Sequence, residues 1–168
     1  ATPSQELAIA WEEMGALVSF ILNIPTRFEF EKNFYEARQE RPLLPDELKE
    51  LMSQAWEKWY GESLSESDPL FWANKLHFFI SGLSFYNFPY LFGYLVSLGV
   101  YAKRLSFGDE FFPRYEGLLL DTGRMTAEDL AAKHLDVDLT RPDFWRETVA
   151  ILKPRVNHFE KLVNDVSV

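Results

Sequence analysis

The chain has no cysteine. That excludes disulfide staples, a thiolate nucleophile and a cysteine metal site, and it is compatible with a reducing, cytoplasmic setting. There is no basic run either. Lys and Arg number 17 against 26 Asp and Glu, a formal net charge of -9. Nucleic acid is not an expected partner, because phosphate contact needs clustered cations. Long clean apolar runs are also missing. The longest apolar stretch, about 78 to 102, is broken by Asn87, Pro89, glycines and tyrosines. A spanning helix needs about 20 mainly apolar residues, so no membrane is expected and this stretch should be buried in protein. Glu6, Glu12 and Glu13 interrupt the N-terminal apolar residues, so no signal peptide is read there.

Several catalytic signatures are absent as well. His77 is followed by Phe78, His134 by Leu135 and His158 by Phe159, so no H-E-x-x-H zinc helix is encoded. There is no glycine-rich phosphate loop and no G-x-S-x-G elbow. His134, Asp136 and Asp138 alternate on a short connector, a spacing that reads as a helix end with solvated charges. His158 reads as a surface residue. The pairs Glu12-Glu13 and Glu29-Glu31 resemble acid–base pairs, but they fall opposite apolar residues and read as solvated faces.

What is present is helical periodicity over most of 168 residues. Leu7, Trp11, Met14, Val18 and Ile21 recur at helical spacing, with Thr2 or Ser4 as the cap and Asn23-Ile24-Pro25 as the stop. A second helix places Phe30 and Phe34 on one face. A third starts at Pro45, with Asp46 and Glu47 at its positive end, and stops at Gly61. The segment from Glu62 to Asp68 reads as loop. Leu70 to Phe79 reads as helical turns ending near Ser81-Gly82, followed by a long helix with Pro89 in its first turn. Further helices end at Gly123, begin at Thr126 with a capping box, and run to the C-terminus with a kink at Pro154. No strand-like alternation stands out. The expected fold is a single all-α domain over residues 1–168, with about six to eight helices.

The aromatic surplus concentrates in "HFFISGLSFYNFPYLFGYL", His77 to Leu95. This stretch holds five Phe, three Tyr and a His, and no Asp, Glu, Lys or Arg. By residue type alone, His77 with Tyr86, Tyr90 and Tyr94 is either a core cluster with partnered hydroxyls or a wall facing a substrate.

The longer segment "FWANKLHFFISGLSFYNFPYLFGYLVSLGVYA" resembles the C-terminal part of oligoendopeptidase F, among the thimet-oligopeptidase-like zinc peptidases. Trp72, His77-Phe78-Phe79, Phe85-Tyr86, Tyr90 and Gly93 carry the likeness. The flanking helices upstream and downstream are similar in order, so the resemblance covers nearly the whole chain. It implies the C-terminal part of a larger helical, zincin-type peptidase acting on short peptides. In such an enzyme His77, Tyr86 and Tyr90 orient the peptide and stabilise the oxyanion. Tyr94 is a further candidate for substrate binding, and Gly82 belongs to the approach loop.

The resemblance also places the zinc outside this chain. The family's third ligand, a Glu, precedes a Pro-Ser-Gln context, and here "ATPSQ" puts Ala1 at that position. The expectation is a fragment with no metal ligand of its own, inactive alone, whose partners are a short peptide and the missing N-terminal part of its own chain. The face that meets that part should be apolar and invite self-association. The alternative is a non-catalytic all-α protein-interaction module.

Overall fold

A computed structural model describes residues 2–166, so the reading placed on Ala1 lies outside the described residues. Among the described residues there are eight α-helices: α1 Pro3–Val18, α2 Ile24–Arg38, α3 Pro45–Tyr60, α4 Phe88–Phe107, α5 Phe111–Asp121, α6 Ala127–Leu135, α7 Pro142–Ala150 and α8 Lys153–Val166. No strand occurs among the described residues. The fold is all-α. The chain divides into two compact units, one of residues 12–92 and one of residues 1–11 with 93–168.

The caps follow from local chemistry. Thr2 and Gln5 form a reciprocal box: Thr2 Oγ1 accepts from the Gln5 amide at 3.3 Å, and Gln5 Oε1 accepts from the Thr2 amide at 2.9 Å. At α3, Glu47 reaches back to the Leu44 amide at 2.7 Å and also pairs with Arg41. Gly61 closes α3 with φ +55, a conformation that costs glycine little. Thr126 caps α6 by accepting from the Asp129 amide.

Two proline expectations need correction. Asn23-Ile24-Pro25 does not end a helix. The chain passes through a π-helical turn, Ser19–Asn23, straight into α2. Pro25 has no N–H to give and its ring crowds the preceding turn. The wider turn shifts the bonding register there, and Thr26 Oγ1 donates to the Leu22 carbonyl at 2.8 Å. By length and mean hydropathy (1.5 over its apolar window), the helical run Pro3–Arg38 meets the requirement for crossing a membrane, although Glu12 and Glu13 lie within it. Pro154 does more than kink the last helix. The chain stops at Ala150, turns through Ile151 and Leu152, and restarts as α8 with Pro154 in its first turn, where a missing N–H is tolerated.

In the unit of residues 12–92, α2 packs on α3 around buried Phe30, Met52, Ala55 and Trp56. Phe71, Trp72 and Phe78 close over this core from two 3₁₀ turns, Phe71–Asn74 and Leu76–Phe79. Trp56 Nε1 donates to the Asp68 carbonyl at 3.1 Å and ties the intervening loop to α3.

In the other unit, Leu98, Leu118, Leu135, Phe144 and Leu162 are buried. A Cβ at Gly99 would stand 2.3 Å from the Phe144 ring, so α4 accepts α7 only where a side chain is missing. His134 is another correction. It is buried rather than solvated, lies against Gly117, and joins Asp121 through Nε2 at 2.9 Å. Asp136 pairs with Arg114 at 2.6 Å, and Asp138 Oδ1 accepts from Thr140.

Candidate functional site

The site is built from the connector between the second 3₁₀ turn and α4. Leu76–Phe79 presents His77. The chain then turns at Ile80–Leu83, where the Leu83 amide donates to the Ile80 carbonyl at 3.3 Å and Gly82 adopts φ +80. A β-turn with positive φ at its third residue favours glycine there. Gly82 is exposed in this turn. Tyr86 follows on the last residues before α4, and Tyr90 lies in that helix's first turn.

Three of the expected residues meet. The imidazole of His77 stacks on the Tyr86 ring, with centroids 4.7 Å apart and planes 25° from parallel. The Tyr86 and Tyr90 hydroxyls are 3.1 Å apart and share a hydrogen bond. His77 and Tyr86 are partly buried and Tyr90 is half exposed, so the cluster reaches the surface. Its hydrogen bond to Tyr86, and then the proximity of that second phenol, hold the Tyr90 phenol above its ordinary pKa. Tyr94 stands one turn further along α4, beyond the point where the chain passes to the other unit.

The apolar stretch from 78 to 102 is not wholly buried, which corrects the expectation. Phe79, Ile80, Leu83, Phe88, Tyr90 and Tyr101 are exposed. Phe79, Ile80 and Leu83 lie on a 3₁₀ turn and a loop, which have no single inward face, and Phe88, Tyr90 and Tyr101 lie on outward positions of α4. Two ring nitrogens just before this stretch, Trp72 Nε1 and His77 Nδ1, are buried without a protein hydrogen-bond partner. Leaving such a group unpaired costs about 1–3 kcal/mol.

The residue that sequence reasoning missed is Glu31. It is 8% exposed, not part of a solvated face. Its carboxylate accepts from the Phe85 amide at 2.7 Å. Burial raises the Glu31 pKa above its ordinary value, and that hydrogen bond opposes the rise. Its companion Glu29 is mostly buried and pairs with Lys58 at 2.7 Å. Glu31 also lines a cavity of about 60 Å³ with Phe30, Phe34, His77 and Phe78. The bonded residue is unusual. Phe85 has φ +54, a left-handed conformation that costs a bulky residue about 1–3 kcal/mol. Phe28 and Tyr35 flank its ring at 5.1 and 5.7 Å, and Tyr35 Oη bonds Ser84 Oγ at 2.9 Å.

Among the described residues no three His, Cys, Asp or Glu side chains gather as a metal-binding group. No family model, no curated protein and no solved structure matches the chain.

The cluster can donate hydrogen bonds. Each phenol has one proton. When one is given to the other phenol, the accepting phenol keeps its own for an outside oxygen. Chains of this kind strengthen the outer donor by about 10–30%. A surface-reaching pair of phenols backed by an imidazole suits a carbonyl or an oxyanion.

Proposed function

We propose that this chain is the C-terminal helical region of an oligoendopeptidase-F-like zinc metallopeptidase. In that enzyme it binds short peptides and supplies donors to the reacting carbonyl. The observation that carries the reading is the joined Tyr86–Tyr90 hydroxyl pair with His77 stacked behind it. Tyr90 and Tyr86 present the proton, while His77 fixes the Tyr86 ring plane. Gly82 borders the peptide, and Tyr94 is the alternative donor, one turn beyond Tyr90 along α4. The metal and its ligands belong to the remainder of the parent chain, which is this region's first partner. The setting is the cytoplasm.

Such a division of labour makes the chain inactive by itself. Donors lower a barrier only where an attacking group is already held in place. The test is a variant series in the full-length parent, assayed for zinc-dependent cleavage of short peptides. His77→Ala and Tyr90→Phe are expected to lower kcat and leave folding intact. A silent Tyr90→Phe with a crippled Tyr94→Phe would move the donor one turn along α4. A parent chain that never cleaves peptides would end the proposal.

A second reading is a non-catalytic interaction module. Large apolar side chains stand exposed in both units, among them Leu76 and Phe79 in one and Leu105 and Phe112 in the other. Either reading predicts self-association of the isolated chain at high concentration. Only the peptidase reading ties kcat to the phenols.

A further inference from the structure

Glu31 lies outside the three aromatic residues of the cluster, yet it touches the backbone that carries them. Its carboxylate is buried and bonds one loop amide, Phe85, directly before Tyr86. Phe85 holds a left-handed φ, which a bulky side chain adopts only where its surroundings enforce it. Several contacts from α2 hold it there. Phe28 and Tyr35 pack on the Phe85 ring, Tyr35 bonds Ser84, and Glu31 takes the amide.

We propose that Glu31 is the positioning residue of the His77–Tyr86–Tyr90 cluster: its carboxylate holds the Phe85 amide and so fixes the turn that sets the Tyr86 ring against His77. What the cluster does for a peptide rests on the reading above; how it is held does not. Glu31 touches none of the three site rings by hydrogen bond, so it acts through the backbone. A bond to charge in a buried place is strong and directional. Its loss lets Phe85 relax to negative φ, which re-aims Tyr86 because side chains follow their backbone.

The experiment uses the whole chain and needs no activity. A ring stacked on another has its protons shifted upfield, so the His77 ring resonances report the Tyr86 stack. In Glu31→Ala those resonances should move toward the position of an unstacked histidine. In Glu31→Gln, whose amide oxygen still accepts from Phe85, they should stay. In the unaltered protein the Phe85 amide should exchange with solvent far more slowly than an open loop amide, a result that stands even if Glu31→Ala fails to fold. Unchanged His77 resonances in a folded Glu31→Ala, or rapid exchange at Phe85, would overturn the proposal. Failure of peptide cleavage in the parent, with the stack lost in Glu31→Ala, would sink the peptidase reading alone.

Discussion

Phe30 connects the core of its unit to the site, and replacing it is the sharpest structural test. Its side chain is 3% exposed. The ring meets Phe78 edge-on at 5.2 Å and lies near-parallel to Trp72 and Phe34 at 6.5 and 6.3 Å. Full burial of a phenylalanine contributes about 1.5–3 kcal/mol. The well-placed edge contact with Phe78 adds about 0.5–1.5 kcal/mol. With the cavity left behind, Phe30→Ala should cost about 3–5 kcal/mol. Urea unfolding followed by circular dichroism reads this as a fall in midpoint of about 2 M, for a slope near 2 kcal/mol/M. Such a loss is a large share of a domain's stability, so Phe30→Leu, expected to cost roughly 1–1.5 kcal/mol, supplies a milder version. Phe79→Ala is the control. It lies on the same 3₁₀ turn as Phe78, is 58% exposed, and should fall within about 0.5 kcal/mol of the unaltered chain. A Phe30→Ala cost below about 1 kcal/mol, or a Phe79→Ala cost equal to it, would refute this account of the core.

Gly99→Ala should destabilise despite alanine's better helix propensity. The helix gains about 1 kcal/mol, but the new Cβ overlaps the Phe144 ring, and overpacking costs about 1–3 kcal/mol; a higher melting temperature would contradict the packing seen at that contact. Glu47, exposed at the start of α3, has a pKa drawn down to about 2 by Arg41 and then by the Leu44 amide. Its contribution is therefore present above the ordinary carboxylate range and is lost as pH falls from about 4.5 through about 2; Glu47→Gln should flatten the stability curve in that window. Glu31 runs the other way. Its pKa is raised chiefly by burial, so the folded state holds the proton more tightly, and its contribution to stability is lost as pH rises from 4.5 through the raised value. Glu31→Gln should remove that slope, as pH-dependent urea midpoints would show.

Helix positions were readable in the sequence because periodicity and caps are local. Pro45 with Gly61, Pro89, and Thr126 with Asp129 each mark a boundary that depends on a few neighbouring residues. Pro25 was misread because a proline after one turn of tolerated widening does not stop a helix, and the π turn that absorbs it has no composition of its own. At Pro154 the signal was right and the size of its effect was not. Among the site residues, His77, Tyr86 and Tyr90 could be named, and their juxtaposition depends on a 3₁₀ turn and a loop that spacing does not define. Glu31 was hidden for a different reason. Adjacent helix positions lie about 100° apart, so α2 buries Phe30 against α3 and Glu31 against the site loop at once. One-face reasoning assigns such a carboxylate to solvent. The same long-range closure buries His134 on Asp121, 13 residues away.

The most direct test of the central claim is the steady-state kinetics of Tyr90→Phe in the full-length parent with a short peptide substrate. The hydroxyl is the only atom removed, and half of the Tyr90 side chain already faces solvent, so folding should hold. Losing an oxyanion donor costs about 2.7–4 kcal/mol of transition-state stabilisation. The account predicts kcat lowered by about 100- to 1000-fold with KM nearly unchanged. A kcat equal to that of the unaltered enzyme, in both Tyr90→Phe and Tyr86→Phe, would contradict it.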